Sequence, residues 1–334
     1  MKKITVFVVF LNHFGLVAQI ITPEKLGFDA HSFDHETLGT INYYATKGKE
    51  NKPLLVYLDG SGAFPLFQQL EQGIASTVVI NYQQLQEKYK VILISKPGVP
   101  FLDKVGRAPN GFPTYDAPKE YIKTLSLDWR VESTNKIINR ILEQSKEKPS
   151  KVILLGFSEG AQVAPIVATK NKHVSHVLLF GGNGLNQLFD PIITARLKSQ
   201  RGQISEQQAQ KEIDSLFKQY KEIYKNPKAT DKGWYGHTYK RWASFTKTSP
   251  VDELVKLNIP IYIANGSLDE NSVLSADYIA LEFLKRGKTN LTYKTYPSYN
   301  HQFQELIFEG GQFKQAIPKL QQVMENAFQW LSEN

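Results

Sequence analysis

The chain has 334 residues, 41% of them hydrophobic and 22% charged. That is ordinary globular composition, long enough for a sizeable core, and it excludes a disordered or collagen-like chain. Cysteine is absent, which excludes disulfides, thiolate metal sites and a cysteine nucleophile. The net charge is +8, but Lys and Arg are scattered among acids, so no nucleic-acid partner is expected.

Lys2 and Lys3 precede an apolar run from Ile4 to Ala18, broken by Asn12, His13 and Gly15. A basic start, a short apolar stretch and a small residue before a polar one form a secretory signal peptide over residues 1–18, cleaved near Ala18. The alternative is an N-terminal strand or buried segment. The run is shorter than the ~20 residues that span a bilayer, and no later run reaches that length. The expected product is exported (periplasmic or secreted in a bacterium) and not inserted in a membrane.

Short apolar runs at 53–58, 90–95, 151–155, 174–180, 259–264 and 291–296 read as buried parallel strands, most of them followed by Gly or Pro. Residues 38–45 suggest an earlier antiparallel strand. Ile137, Ile138, Ile141 and Leu142 recur at helical spacing after Asp128. Phe313, Ile317, Leu320, Met324, Phe328 and Leu331 predict a C-terminal amphipathic helix. Strands alternating with helices imply an α/β fold, a mainly parallel sheet covered on both faces. The rhythm breaks between Gly184 and Leu257. There Ser205 and Gln208 suit a capping box, and Ile213, Leu216, Phe217, Tyr220, Ile223 and Tyr224 follow at helical spacing. An aromatic-rich stretch, 233–245, comes next. The expected division is a core part at 19–184, a helical insertion at 185–257, and a second core part at 258–334.

The chemistry concentrates in Gly156-Phe-Ser158-Glu-Gly160, between the strand at 151–155 and a helical stretch from Ala161. In that context G-x-S-x-G is a nucleophile elbow. A tight turn strains the serine backbone and leaves room only for small flanking residues, so Ser158 is pushed out at the sheet edge. The Glu159 N–H then lies at a helix N-terminus, where it can meet a developing oxyanion. A serine hydroxyl needs a base, and this topology orders the partners Ser, acid, His. His173 and His176 flank the next strand and come too early. His301 follows the strand at 291–296 and is the candidate base. The acid should leave the preceding strand, which makes Asp269 the first candidate, Glu270 the second and Asp277 the third. A second oxyanion donor is expected in the loop at 58–65, from the Ser61 N–H or next the Gly62 N–H. Trp234, Tyr235, Tyr239 and Trp242 are candidate pocket residues, or they pack the insertion's own core. Lys240 and Arg241 read as solvated surface, with a substrate acid as the alternative. The Glu159 side chain reads as structural, with an amine-binding role as the alternative.

Taken together, Gly156-Phe-Ser-Glu-Gly160, Asn265-Gly-Ser-Leu-Asp269 and the late His301 resemble the α/β-hydrolase superfamily, nearest its dienelactone-hydrolase-like and prolyl-oligopeptidase-like branch. The resemblance runs from about residue 38 to the end. It implies an α/β-hydrolase fold with the insertion as a lid, and an esterase using Ser158 as nucleophile, His301 as base and Asp269 as its orienter. Small esters or short peptides would be the substrates, and no metal or cofactor is implied. A serine peptidase or a non-catalytic binding protein on the same fold are the alternatives. The chain departs from many members at Asp59-Gly60, where they carry His-Gly, and at Gln302, where they carry Gly.

Overall fold

The computed structural model describes residues 21–48, 51–70, 73–109, 113–270 and 272–334. The expected signal peptide lies outside them. The main sheet is built from β1 (Phe28–His35), β2 (Gly39–Thr46), β3 (Leu54–Leu58), β4 (Lys90–Ile94), β5 (Val152–Phe157), β6 (His176–Phe180), β7 (Ile261–Gly266) and β8 (Leu291–Tyr296). Their order across the sheet is β1-β2-β4-β3-β5-β6-β7-β8. β1 and β2 are antiparallel, and β4 through β8 run parallel. All six apolar runs of the sequence are strands of this sheet, and the segment near 38–45 is β2.

Alternate residues on each strand face opposite sides, so an all-apolar strand must be covered twice. Leu54, Val56 and Leu58 face one layer with Leu154, Val177 and Ile263. That layer holds α1 (Leu127–Gln144), α2 (Gly160–Lys170) and α3 (Val273–Lys285). Leu55, Tyr57, Leu155, Phe157 and Phe180 face the other, against α4 (Leu320–Glu333). α1 begins at Ser126, whose hydroxyl accepts from the Trp129 N–H at 3.1 Å, the side-chain cap that fixes a helix start.

Two elements differ from expectation. The C-terminal helix starts at Leu320, and Phe313 and Ile317 belong instead to a hairpin of Gln304–Glu309 and Gln312–Pro318. Gly310 and Gly311, at φ 59° and 80°, form the reversal between its strands, and this overrides the helical spacing of the apolar residues beyond it. β1 carried no sequence signal, because it is an edge strand with mostly exposed side chains.

Between β6 and β7 lie helices at Asp190–Gln200, Glu206–Lys225, Tyr239–Phe245 and Pro250–Leu254, and a short hairpin at 233–238. Ser205 Oγ accepts from the Gln208 N–H at 3.1 Å and starts the second of these helices. Leu188, Tyr220, Ile223, Tyr239 and Ala243 form a small cluster of their own, whereas Phe245, Val251 and Leu254 join the main core. Among the described residues, no helix is long and apolar enough to cross a membrane.

Parallel strands bring their carboxyl ends to one edge. β5 and β3 pair with Gly156 opposite Leu58, β5 and β6 with Phe157 opposite Phe180, and β7 and β8 with Gly266 opposite Tyr296. The segments that leave these ends carry Asp59 to Gly62, Ser158, Gly181, Asp269 and His301.

Candidate active site

Ser158 turns the chain from β5 into α2 at φ 53°, a left-handed backbone that a non-glycine residue rarely holds. Its N–H donates to Phe180 O at 2.9 Å. The flanking glycines are sterically required. A Cβ on Gly156 would lie 2.4 Å from Gly160 O, and one on Gly160 would lie 1.9 Å from Leu58 O. The Ser158 carbonyl accepts from the Ala161 N–H at 2.9 Å. The planar trans peptide therefore sends the Glu159 N–H the opposite way. That N–H stands at the start of α2, where a helix offers it no acceptor.

His301 Nε2 is 3.0 Å from Ser158 Oγ, and His301 Nδ1 is 2.7 Å from Asp269 Oδ2. A carboxylate can only accept, so Nδ1 carries the proton and Nε2 is left to accept from the serine hydroxyl. Asp269 is buried, whereas the imidazole is about one-third exposed. Gly181, at φ 59°, lets the chain after β6 pass behind the ring, since a Cβ there would meet His301 Cε1 at 3.1 Å. The other two acids lie elsewhere: Glu270 is exposed and paired with Arg201, and Asp277 accepts from Tyr293 Oη at 2.8 Å. His176 is buried on β6 beside Trp330.

The loop after β3 approaches Ser158 closely, for a Cβ on Gly60 would sit 3.5 Å from Ser158 Cβ. Beneath it lies a chain of buried charges that the sequence reading missed. Lys96 Nζ contacts Asp59 Oδ2 at 2.7 Å, and Arg130 Nη2 contacts Asp59 Oδ1 at 2.6 Å. Arg130 Nη1 contacts Glu159 Oε1 at 2.7 Å, and Arg241 Nη2 pairs with Glu159 Oε2. Lys96 and Arg130 are 5% exposed, Arg241 3% and Glu159 2%. Burial opposes charge on Glu159, but Arg241, Arg130 and Lys96 outweigh it and hold the carboxyl down to about 2. Arg241 is thus not solvated surface: it is buried, stacks on Trp242 and Phe245, and donates to Gln187 Oε1 at 2.8 Å. The Glu159 side chain is structural, with both oxygens taken by arginines. Lys240 donates to Lys123 O at 2.8 Å.

A cavity of about 1120 Å³ opens over Ser158, Asp269 and His301. Ser61, Trp234, Tyr235 and Trp242 line it, with Trp234 and Trp242 rings 5.0 Å apart. Tyr239 does not line it. That ring is buried in the small cluster, and its hydroxyl accepts from Gln219 Nε2 at 2.8 Å. Three further wall residues had no sequence signal. Asn183 Nδ2 donates to Asp190 Oδ2 at 3.0 Å, and burial pushes Asp190 up to about 8. Burial holds His237 down to about 4. Among the described residues, no group of three His, Asp or Glu side chains is placed to hold a metal ion.

The chain matches no protein-family model, and no curated protein is similar enough to match it. Solved structures do match. A puromycin-hydrolyzing peptidase of Mycobacterium tuberculosis superposes with a TM-score of 0.52 at 14% identity, over 83% of this chain and 36% of that one. An acylaminoacyl peptidase of Pyrococcus horikoshii gives 0.55 at 12% identity, over 92% of this chain and 41% of that one. An esterase of Pyrococcus furiosus gives 0.52 at 12% identity, over 94% and 92%. The chain spans less than half the length of the two peptidases. Sheet order, the turn at Ser158 and these superpositions agree that the chain has the fold of the α/β-hydrolase superfamily.

Proposed function

We propose that the protein is a serine hydrolase that cleaves a carboxylic ester through an acyl-enzyme. The observation that carries this is the unbroken line of hydrogen bonds from Ser158 Oγ through His301 to Asp269, at 3.0 and 2.7 Å. In the proposed reaction His301 Nε2 takes the hydroxyl proton as Oγ attacks the substrate carbonyl. Asp269 holds the ring and stabilises the imidazolium. The N–H groups of Glu159 and Ser61 receive the oxyanion, with Gly62 the next candidate. His301 returns the proton to the leaving alcohol, and water then releases the acyl group by the same steps in reverse order. Only side chains and backbone amides are needed.

Solved structures with this fold include an esterase and peptidases. The ester reading is favoured because the acid that follows Ser158 in the chain is not free to bind a peptide's terminal amine: Arg130 and Arg241 occupy both oxygens of Glu159. The aromatic wall suits an apolar or aromatic group on the ester, with residues 185–257 acting as a lid. Export follows from the reading of residues 1–18. The test is a panel of p-nitrophenyl esters of increasing acyl length beside a panel of aminoacyl anilides. Turnover of esters, lost in Ser158→Ala, supports the proposal. Turnover of anilides but not esters would replace it with the peptidase, and failure of a fluorophosphonate to label Ser158 would leave a binding protein.

A further inference from the structure

We infer that Lys96 and Arg130 are positioning residues that aim the oxyanion amides; this rests on the hydrolase reading above. Lys96 Nζ is held by three oxygens: it donates to Gly60 O at 2.6 Å and Gly62 O at 2.8 Å, and it pairs with Asp59 Oδ2 at 2.7 Å. The carbonyl of Gly60 and the N–H of Ser61 belong to one planar trans peptide, so they point in opposite directions. Holding Gly60 O against the buried Lys96 therefore turns the Ser61 N–H away from Lys96 and toward the cavity that Ser61 lines. Arg130 fixes the preceding peptide in the same way, donating to Asp59 O at 3.0 Å. The same Nη1 reaches Glu159 Oε1 at 2.7 Å, so one guanidinium ties the loop after β3 to the residue that supplies the other amide.

Asp59 is the counter-ion that makes this possible. Its two carboxylate oxygens separate Lys96 from Arg130, and without them two buried cations would face each other unscreened. This accounts for the Asp-Gly at a place where the resemblance implies His-Gly. The cluster sets three basic side chains, Lys96, Arg130 and Arg241, against two acids, Asp59 and Glu159, and while burial works against the charge on Lys96, Asp59 supports it. These side chains lie beneath the place where negative charge develops in the proposed reaction. Fixed charges in a site shielded from water stabilise that charge without reorganising.

The test compares wild type with Lys96→Met and Lys96→Arg. The readouts are kcat and KM on a p-nitrophenyl ester, the inhibition constant of a trifluoromethyl ketone, and thermal melting. The ketone forms a tetrahedral adduct on the serine and places an oxyanion between the two amides. Loss of one aimed donor predicts that Lys96→Met lowers kcat by about 10²-fold and weakens the ketone by a similar factor. KM should change by less than about threefold. Should Lys96→Met not fold, Lys96→Arg carries the test, because its planar fork keeps the charge but cannot serve the same three acceptors. It predicts a lower kcat and weaker ketone binding in a protein that still melts cooperatively. A folded variant with wild-type kcat, or one in which only KM rises, overturns the inference while leaving the hydrolase reading intact. A wild type that neither turns over esters nor reacts with a fluorophosphonate overturns both.

Discussion

Adding one methyl group at Gly160 probes the elbow more sharply than removing any side chain. The added Cβ would lie 1.9 Å from Leu58 O, 2.6 Å from Leu58 C and 3.0 Å from Asp59 O, all of them backbone atoms. No rotamer change relieves such a clash. Ordinary carbon contacts lie at about 3.5–4.0 Å, so the start of α2 must retreat from β3 by roughly 1.5 Å. β3 cannot move instead, since it lies between β4 and β5 with every residue buried. The retreat carries the Glu159 N–H and Ser158 away from the loop at Gly60, which lies so near that a Cβ on Gly60 would sit 3.5 Å from Ser158 Cβ. A misplacement of about 1 Å at reacting groups costs about 10²-fold in rate. Overpacking adds a stability loss of about 1–3 kcal/mol. Gly160→Ala should therefore lose about 10²-fold in kcat on a p-nitrophenyl ester and unfold at lower urea concentration. Gly233→Ala, where the nearest atom would be His237 O at 3.4 Å, is the control and should lose neither. Wild-type kcat and an unchanged urea midpoint in Gly160→Ala would refute the packing argument and the rigid elbow with it.

Ser158→Ala and His301→Ala should each lower kcat by about 10⁶-fold while circular dichroism stays native, and Asp269→Asn should lose less. Glu270→Gln should be silent in the same ester assay; if it is not and Asp269→Asn is, the acid is wrongly assigned. Trp242→Ala should raise KM for aryl esters by about 2–10-fold relative to acetyl esters, the value of one aromatic contact. Asp190 provides the pH test. Burial, with a smaller contribution from Asp269, lifts its carboxyl from the ordinary 3.8 to about 8. A folded value above the unfolded one means that the group's contribution is fully present below about pH 4 and is lost as pH rises through about 8. Asp190→Asn should then melt higher than wild type at about pH 9, with the gap closing toward pH 4; a gap independent of pH would show that Asp190 does not titrate in this window.

The sheet was legible because its parallel strands are buried on both faces, so each reads as an unbroken apolar run such as Leu54 to Leu58. What escaped were elements held by something other than burial. β1 is an edge ribbon paired along its length with β2, and backbone hydrogen bonds leave no hydrophobic trace. The hairpin at 304–318 hid behind Phe313 and Ile317, whose spacing suited a helix. Gly310-Gly311 was the signal, since two adjacent glycines suit the positive φ values of a tight reversal between two strands.

The site divides along the same physical line. Ser158, Asp269 and His301 could be found because the chemistry fixes their residue types and the topology fixes their order. Side chains that only neutralise or aim others carry no such pattern, and the buried ion cluster was missed. One mark of it was present. On α1, Thr134, Ile137 and Ile141 fall on the buried face at helical spacing, and Arg130 sits one turn before them on that same face. A cation there must find anions inside the protein, because an unpaired buried charge costs several kcal/mol. Asp59 and Glu159 are the acids at the carboxyl ends of β3 and β5 that answer it. Their positions, beside the loop after β3 and beside Ser158, are where an acid would otherwise oppose the proposed reaction. A bare carboxylate near the developing oxyanion would destabilise it, so these two acids are compatible with the proposed reaction only because basic side chains pair with both of them.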